Sequence, residues 1–282
     1  MKIGCIGQGF VGKNISDNFE QRGFDVVRYS LEPDYVDNAQ EINSCDVVYV
    51  AVPTPTTPEG FQYDIITKVI PLVADGAIVV IKSTVLPGTT ISLQEEFPRK
   101  IILFSPEFLC EATAAYDVAN PILNVIGVSE DTTEQKNAAT EIMMTLPVCE
   151  HTFVVSSTSA ELFKYAHNLN GYFRVILANL LFDVAETFTT DWAELKTMMD
   201  SDVMMSPFYN SPVHKDGRGA GGNCFIKDMS AFRFLYEAVL VEDKNSIAVL
   251  KALERKNLEL LSQTNKSQDI VKEVYGKNID AL

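Results

Sequence analysis

The chain opens with Lys2-Ile3-Gly4-Cys5-Ile6-Gly7-Gln8-Gly9-Phe10-Val11-Gly12, an apolar run that leads into the pattern G-x-G-x-x-G. The first glycine of the pattern suits a tight turn, the second lets a pyrophosphate approach the backbone, and the third lets a helix pack closely on the strand. The start of that helix supplies free N–H groups and a partial positive charge. A glycine-rich structural turn is the alternative. We predict a dinucleotide-binding site at Gly7, Gly9, Phe10, Val11 and Gly12.

The choice of cofactor depends on the end of the second predicted strand. About 20 residues after the glycines, an NAD site usually places Asp or Glu against the ribose hydroxyls. Here the sequence reads Arg28-Tyr29-Ser30-Leu31-Glu32, so Ser30 occupies that position. Arg28 nearby is compatible with NADP, whereas Glu32 is within reach of the ribose. We expect NAD, with NADP as the alternative.

Short apolar runs alternate with amphipathic segments through the first half of the chain. The runs are Lys2–Ile6, Val26–Tyr29, Asp46–Val52, Ala77–Lys82, Ile101–Phe104 and Leu123–Val128. The helix-like segments include Val11–Arg22, Ile65–Val73, Thr89–Phe97 and Thr132–Leu146. Because strands separated by helices require right-handed crossovers, they predict an α/β fold with a doubly wound, largely parallel sheet of the Rossmann type.

The second half of the chain has a helical pattern. From Ser159 to Phe188 apolar residues recur at spacings of three and four, which predicts one long helix with a continuous apolar face. The face consists of Leu162, Ala166, Leu169, Phe173, Leu177, Leu180 and Val184. Further helices are predicted near Trp192–Met199, Cys224–Val239 and Ser246–Ser262. We therefore expect a Rossmann-like domain at residues 1–155 and an all-helical domain at residues 156–282.

The composition is that of an ordinary soluble globular protein, with 46% apolar and 22% charged residues, which excludes disorder. The 38 acidic residues exceed the 23 basic ones, and the net charge of −15 repels nucleic acid and anionic lipid. No apolar run approaches the roughly 18–20 residues of a membrane span, and the N-terminus lacks a signal peptide. We expect a cytoplasmic protein with neither nucleic acid nor membrane as its partner.

The cysteines and histidines do not indicate a metal site. The five cysteines contain no C-x-x-C pair, and the three histidines lack metal-ligand spacing. We therefore predict neither a metal nor a disulfide framework. Each cysteine is interpreted as a buried apolar thiol unless its surroundings argue otherwise.

Cys224 has such surroundings. The segment Gly221-Gly222-Asn223-Cys224-Phe225-Ile226-Lys227-Asp228 places this cysteine in the first turn of a predicted helix, where the helix dipole lowers the pKa of a thiol toward neutrality. Asp228 lies four residues later and therefore on the same helix face. A thiol beside a carboxylate suits covalent attack with proton transfer. A structural cysteine is the alternative.

Lys164 and Asn168 are also four residues apart, on the long predicted helix. They lie beside its apolar face, so we expect their polar heads to point along the domain junction rather than into bulk water. A lysine next to a reacting oxygen stabilises an alkoxide, or accepts its proton when burial lowers the lysine pKa. The alternative is a snorkelling lysine with a solvated asparagine.

Further polar residues follow the ends of predicted strands. Glu107 and Glu111 come after one of them, near the carboxyl edge of the sheet, where open α/β sheets bind their ligands. They suit the roles of base and hydrogen-bond acceptor, or they are ordinary acids at a helix start. Two loops, Val52–Thr56 and Lys82–Thr89, combine hydroxyls with rigid prolines as a pocket rim would.

Six motifs, taken in order, resemble those of one family. They are G-x-G-F-V-G from Gly7, P-T-P from Pro53, K-S-T-V-x-P-G-T from Lys82, S-P-E-F-L-x-E from Ser105, K-x-x-x-N from Lys164 and G-G-x-C-x-x-K-D from Gly221. The combination is similar to the UDP-glucose/GDP-mannose dehydrogenase family, the NAD-dependent nucleotide-sugar 6-dehydrogenases. The resemblance extends from residue 1 to residue 262 or thereabouts.

The resemblance implies a four-electron oxidation of a sugar C6 alcohol to a carboxylate, with two NAD molecules used in turn. It implies that Cys224 traps the intermediate aldehyde as a thiohemiacetal, whose oxidation gives a thioester. Lys164 with Asn168 would stabilise the oxygen charge during these steps. Asp228 and Thr84 would hold the catalytic water.

The resemblance also assigns binding residues and an assembly. Glu107 would take part in acid–base work during thioester hydrolysis, and a homodimer would form around the long helix, with Leu177–Leu181 as apolar surface. The implied cofactor contacts are Gly7, Gly9, Phe10, Val11, Gly12, Ser30, Pro53, Thr54, Ser83, Thr84, Glu111 and Lys227. The implied contacts to the nucleotide sugar are Glu107, Phe108, Leu109, Glu111, Lys164, Asn168, Lys215, Gly219, Gly221 and Gly222.

The sequence departs from the family pattern at four points. The family has a C-terminal nucleotide-binding domain, which we expect to be missing because the chain ends at Leu282. Ser30 replaces the family's Asp, Cys110 replaces its Arg, and the D-x-R-I-G segment is replaced by residues 200–204. The alternative function is therefore a catalytically impaired, truncated relative that binds dinucleotide or supports a partner subunit. A β-hydroxyacid-type dehydrogenase would use the Lys-x-x-x-Asn pair without the thiol.

Overall fold

The computed structural model describes residues 1–215 and 217–276. Its strands are β1 (Lys2–Ile6), β2 (Asp25–Tyr29), β3 (Val47–Val50), β4 (Thr56–Thr57), β5 (Gly60–Phe61), β6 (Ile78–Ile81), β7 (Ile101–Phe104), β8 (Leu123–Val128), β9 (His151–Ser156), β10 (Val213–His214) and β11 (Gly217–Arg218). Its α-helices are α1 (Phe10–Gln21), α2 (Asp64–Val69), α3 (Thr89–Glu96), α4 (Ala114–Ala119), α5 (Thr133–Thr145), α6 (Ser157–Thr187), α7 (Trp192–Ser201), α8 (Gly222–Val239), α9 (Lys244–Gln263) and α10 (Gln268–Tyr275). Two 3-10 helices span Val36–Ser44 and Ile70–Leu72.

The chain divides into two compact units. Unit 1 comprises Met1–Thr54 and Tyr63–Lys164, and unit 2 comprises Pro55–Gln62 and the chain from Tyr165 onward. The change from alternating strands and helices to a helical pattern predicts a single boundary between residues 155 and 156. The units differ from that division because the short hairpin β4–β5 packs with α8 and α10 of unit 2, and because the first turns of α6 pack within unit 1.

Unit 1 is built on a sheet whose strands, within the described residues, follow the order β2-β1-β3-β6-β7-β8-β9. The first five strands in this order, β2, β1, β3, β6 and β7, pair in parallel, and this confirms the predicted doubly wound, largely parallel α/β fold. Strand β8 pairs antiparallel with β7, and β9 runs parallel to β8. The strand order reverses between β1 and β3, a position where such sheets bind ligands outside the carboxyl ends of their strands.

The core of unit 1 explains why its strands read as continuous apolar runs. All residues of β3 and β6 are buried, as expected for parallel strands covered on both faces. Helices α1 and α5 pack against them, with Phe19 and Ile142 in one apolar cluster with Tyr49 and Val80. This packing fixes the strands in register, so their carboxyl ends meet at one edge of the sheet.

Unit 2 is mainly helical in its described part. The apolar residues that join α8, α9 and α10 are Ile226, Leu258, Leu261, Val271, Val274 and Tyr275. A buried ion pair links Arg233 of α8 to Glu254 of α9, and the Tyr275 hydroxyl donates to the same carboxylate at 2.9 Å. The two helices and the end of the described chain are thereby held together by polar as well as apolar contacts.

The faces of α6 are not arranged as the apolar periodicity suggested. Five residues of the predicted apolar face, Leu162, Phe173, Leu177, Leu180 and Val184, are 38–56% exposed. The buried side of the helix carries other apolar residues, such as Tyr172 and Ile176. It also carries the polar groups of Glu161, Lys164 and Asn168. Each of these groups has a hydrogen-bond partner, which offsets the cost of burying it. The spacing of apolar residues in the sequence gives no information about such partners. No helix in the described residues is long and apolar enough to cross a membrane.

Candidate active site

The glycine-rich loop after β1 fits a dinucleotide. Gly7 has a φ of +91°, and an ideal Cβ there would lie 2.2 Å from the carbonyl oxygen of Ala51. A Cβ on Gly12 would lie 1.8 Å from the carbonyl oxygen of Gly7, so only glycine allows this strand–helix contact. A Cβ on Gly9 would meet no atom within 4 Å. This space lies at the N-terminus of α1, where the backbone N–H groups suit a pyrophosphate.

The residues around the end of β2 favour NAD over NADP. Ser30 directly follows β2, and its hydroxyl accepts from the backbone N–H of Glu32 at 3.2 Å. The Arg28 guanidinium donates to Asp17 and Glu20, each at 2.7 Å. The hydrogen bond to Glu20 is the largest cause that raises the pKa of Arg28 above its ordinary value. A 2′-phosphate brought to Arg28 would therefore compete with two carboxylates.

The two hydroxyl-bearing loops of unit 1 are joined at the carboxyl edge of the sheet. The Ser83 hydroxyl accepts from the N–H of Val52 at 2.9 Å and donates to the carbonyl of Val52 at 2.7 Å. The Thr54 hydroxyl donates to the carbonyl of Thr84 at 2.8 Å. The structure thus brings together the predicted cofactor residues Pro53, Thr54, Ser83 and Thr84, beside the strand that carries the glycine loop.

Glu107 and Lys164 form a buried ion pair in unit 1. The Lys164 Nζ lies 2.9 Å from Glu107 Oε1 and donates to the Glu107 carbonyl at 2.5 Å. The N–H of Leu109 donates to Glu107 Oε2 at 2.8 Å. Burial alone would raise the pKa of Glu107, but Lys164, this N–H and Lys82 together lower it below its ordinary value. Glu107 is therefore held as a carboxylate.

Two aromatic rings lie beside this ion pair, whereas Glu111, the second predicted carboxylate, is exposed. Lys164 Nζ lies 5.3 Å from the centre of the Phe108 ring, a cation–π distance, and the Phe108 ring contacts Phe163 edge-on. Glu111 instead lies on an exposed turn. The paired carboxylates of the sequence prediction are therefore placed in different environments, one buried and ion-paired, the other exposed.

Two buried charged residues near these loops were not predicted as site residues. Lys82 directly follows β6, and Glu161 lies in the first turns of α6. Glu161 accepts from the N–H groups of Gly88 and Thr90 at 2.6 and 2.8 Å, and so caps α3 at the end of the loop that carries Thr84. Lys82 closes an apolar strand run and begins the K-S-T-V-x-P-G-T motif, but neither signal indicates that its side chain is buried.

Unit 2 carries the cysteine and a second buried carboxylate. Helix α8 begins at Gly222, so Cys224 lies in its first turn as predicted, and the residue is solvent-exposed. Asp228, one turn later, is buried. Its two oxygens accept from Asn168 Nδ2 and from Lys227 Nζ, both at 2.5 Å. Lys227, predicted as a cofactor contact, thus forms an ion pair with Asp228.

The glycine-rich loop before α8 is held by α9 and the residues after it. The Asn257 side chain makes two hydrogen bonds to the backbone of Ala220, at 2.7 and 2.9 Å, and Lys266 Nζ donates to the carbonyl of Gly219 at 2.8 Å. Neither residue was predicted as a site residue. Gly222 has a φ of +81° and open space where a Cβ would lie. Lys215 is exposed next to β10.

The fold and its glycine loop define a dinucleotide-binding protein. Residues 34–146 match the NAD binding domain of the UDP-glucose/GDP-mannose dehydrogenase family, and residues 158–258 match the central domain of the same family. The chain belongs to the UDP-glucose/GDP-mannose dehydrogenase family. The predicted resemblance to this family is confirmed. The match of residues 34–146 to an NAD binding domain confirms NAD as the predicted cofactor.

Individual relatives agree with this assignment. UDP-glucose 6-dehydrogenase AglM of Haloferax volcanii is 27% identical, over 82% of this chain and 64% of that relative. The putative UDP-glucose 6-dehydrogenase YtcA of Bacillus subtilis is 25% identical, over 100% of this chain and 73% of that relative. At 64%, the aligned part is less than two thirds of the length of AglM. The structure of a UDP-glucose dehydrogenase from Pyrobaculum islandicum has the same fold, with a TM-score of 0.78 and 24% identity over 92% of this chain and 68% of that one.

Proposed function

We propose that the chain catalyses the NAD-dependent oxidation of the C6 alcohol of a nucleotide sugar to a carboxylate, as a UDP-glucose 6-dehydrogenase would. The observation that carries this proposal is the exposed thiol of Cys224 on the first turn of α8, one turn before the buried pair of Asp228 and Asn168. The names of the two relatives support the substrate class. The retained set of polar residues favours catalysis over the non-catalytic alternative.

NAD would be held by the residues at the carboxyl edge of unit 1. Gly9 and the start of α1 would receive the pyrophosphate, and Ser30 would contact the ribose. Pro53, Thr54, Ser83 and Thr84 line the adjoining loops. When bound, NAD supplies a hydride acceptor for each of two successive oxidations.

Lys164 is the group that stabilises charge on the substrate oxygen. Hydride leaves a carbon readily only when its oxygen carries alkoxide character, so an ammonium beside that oxygen lowers the barrier. Burial in the pair with Glu107 keeps Lys164 fixed in direction. Asn168 lies one turn further along α6 and adds an amide donor to the same role.

Cys224 supplies the covalent step that carries the aldehyde to the carboxylate level. The sulfur forms a bond to the aldehyde carbon, and the carbonyl oxygen takes the thiol proton, which gives a thiohemiacetal. Loss of a hydride from this carbon and of the hydroxyl proton gives a thioester. The helix start favours the thiolate form that such attack requires.

Hydrolysis of the thioester regenerates the thiol. As the family resemblance implies, Asp228 and Thr84 would hold the water that adds to the thioester carbon, and Glu107 would accept its proton. The carbon–sulfur bond then breaks, and the proton returns to the sulfur of Cys224. Glu107 is held as a carboxylate, with its pKa below the ordinary value, and the carboxylate is the form that accepts a proton.

The exposed apolar residues of α6 support a homodimer, the assembly that the family resemblance implies. Leu162, Phe173, Leu177, Leu180 and Val184 form a row on one side of the helix. Contiguous exposed apolar surface of this kind marks interaction sites on soluble proteins. A second copy of the chain would cover this row.

The substrate class is tested by a panel of cofactors and nucleotide sugars. UDP-glucose, GDP-mannose and their N-acetyl relatives are each incubated with the protein and either NAD or NADP. We expect one of them to yield two reduced NAD per carboxylate formed. Complete inertness toward every combination, in a protein that binds NAD, would contradict the proposed activity.

A further inference from the structure

Lys82 is a buried cation that the proposed reaction does not use. It directly follows β6, and only 8% of its surface is exposed. Its Nζ donates to the Ser105 hydroxyl and to the carbonyl of Pro106, both at 3.1 Å. Neither acceptor carries a charge. Because burying an ammonium group without a charged partner in direct contact is costly, the position of Lys82 requires an explanation.

The charged groups that act on Lys82 in the described residues are Glu107 and Lys164. Burial lowers the pKa of Lys82 to about 8, the Glu107 carboxylate opposes this change, and Lys164 adds to it. Glu107 in turn is influenced by Lys164, by the N–H of Leu109 and by Lys82. The three ionisable groups come from three elements, namely the end of β6, the loop after β7 and helix α6.

We infer that Lys82 is a positioning residue for Glu107, because its two hydrogen bonds hold the segment that leads to this carboxylate and because it supplies a second positive charge that acts on it. The inference rests on the proposed function, in which Glu107 accepts a proton from the hydrolytic water. Ser105 and Pro106 are the two residues that precede Glu107, so the hydrogen bonds of Lys82 fix where its side chain begins. Lys164 fixes the other end of the same side chain through Oε1.

The chain offers a matched control for this role in Lys100. Lys100 is also only 8% exposed, and its Nζ donates to the carbonyl of Val73 at 2.7 Å and to Asp75 at 3.1 Å. It precedes β7, whereas Glu107 follows it, so a strand of roughly 13 Å separates them at about 3.3 Å per residue. Lys100 therefore shares the burial and the backbone contact of Lys82 without acting on Glu107.

The direct test measures the pKa of Glu107 by carbon-13 NMR of the full chain, with glutamate labelled at the carboxyl carbon. The resonance is assigned with Glu107→Gln. Lys82→Met is expected to raise the pKa of Glu107 by about one unit, a shift typical of a lost opposite charge nearby. Lys100→Met is expected to leave it unchanged. An unchanged pKa in Lys82→Met, or an equal rise in both variants, would overturn the inference.

A charge-retaining variant covers the case in which Lys82→Met does not fold. Lys82→Arg keeps the positive charge, so the pKa of Glu107 is expected to stay within about 0.3 unit of the wild type, a small fraction of the expected loss. A rise of a full unit in Lys82→Arg would contradict the electrostatic role.

The activity readout separates positioning from a purely structural role. In Lys82→Met the acidic limb of the pH profile of kcat is expected to move to higher pH by about one unit, as the pKa of Glu107 does. The KM values for NAD and for the sugar are expected to stay within about twofold of the wild-type values. A structural role would lower the folded fraction without moving this limb. If the wild type turns over no nucleotide sugar, the proposed function fails, whereas the NMR titration still decides the role of Lys82.

Discussion

Asn168 donates to Asp228 across 2.5 Å, although 60 residues separate them in sequence. One turn earlier on the same helix, Lys164 pairs with Glu107, 57 residues away. Successive turns of α6 therefore hold the two carboxylates of the proposed reaction, each through a different donor.

The contact between Asn168 and Asp228 is expected to contribute to stability. Asn168→Ala removes a donor from a buried carboxylate, and we expect the free energy of unfolding to fall by about 1–3 kcal/mol. Urea denaturation measures this change. Asn170→Ala, at an exposed position of the same helix, is the control and should cost less than about 0.5 kcal/mol. Equal losses in the two variants would contradict the role given to this hydrogen bond.

The ion pair of Glu107 predicts a pH dependence of stability. Because the folded protein lowers the pKa of Glu107, the ionised group contributes stability above its ordinary pKa of about 4.3. That contribution is lost as the pH falls through the lower, folded value. Glu107→Gln leaves Lys164 buried without its carboxylate and should cost about 3–5 kcal/mol at pH 7.

The difference in unfolding free energy between the wild type and Glu107→Gln should therefore shrink as the pH falls below about 4. Urea denaturation at a series of pH values measures it. Glu111→Gln, at an exposed position four residues later, serves as the control and should show no such trend. A difference that stays constant down to pH 3 would show that the charge of Glu107 does not stabilise the fold.

The partners of Arg28 predict a preference for NAD over NADP. Glu20 and Asp17 occupy the guanidinium, so NADP should bind at least about tenfold more weakly, or 1.4 kcal/mol. Glu20→Gln removes the strongest of these interactions and should reduce the ratio of the NADP dissociation constant to the NAD dissociation constant. Glu95→Gln, at an exposed position of α3, should leave it unchanged. Calorimetric titration with both cofactors gives the two dissociation constants, and tighter binding of NADP than of NAD by the wild type would contradict the role given to Glu20 and Asp17.

Two glycines of the same loop are expected to respond differently to alanine. Gly12→Ala forces a Cβ against the Gly7 carbonyl and should destabilise the protein by about 1–3 kcal/mol or more. Gly9→Ala meets open space, so its melting temperature should be close to that of the wild type while NAD binds at least about tenfold more weakly. Thermal melting and calorimetry test the pair. Normal NAD affinity in Gly9→Ala would mean that the open space does not receive the cofactor.

The proposed homodimer depends on the exposed row of α6. Leu177→Lys places a charge in the middle of that row and should convert the dimer to a monomer, because an unpaired charge is costly in an apolar interface. Light scattering measures the mass of the particle. Val249→Lys, on an exposed position of α9, should remain dimeric. A monomeric wild type at micromolar concentration would contradict the proposal.

The elements that the sequence predicts well are those with a local signal. The glycine loop and the first turn of α8 depend on residues within one short segment, and both are found at the predicted positions. The apolar runs of β3 and β6 identify strands covered on two faces, which is why the parallel sheet could be predicted. Hairpin β4–β5 and helix α4 are short, and their residues carry no comparable periodicity.

Long-range pairings could not be read from spacing. Lys164 and Asn168 share a helix face, but nothing in that spacing indicates that one bonds Glu107 and the other Asp228. Arg28 illustrates the same limit, because its availability for a phosphate depends on Glu20 in the adjacent helix. The exposed apolar row of α6 shows that periodicity identifies a helix face without indicating what covers it.

The most direct test of the central claim is the yield of carboxylate from Cys224→Ala, compared with the wild type and with Cys149→Ala. Product is separated chromatographically after incubation with NAD and the nucleotide sugar that the wild type oxidises. We predict two reduced NAD per carboxylate in the wild type and in Cys149→Ala, and no carboxylate from Cys224→Ala. Carboxylate formed by Cys224→Ala at the wild-type rate would contradict covalent catalysis by this thiol.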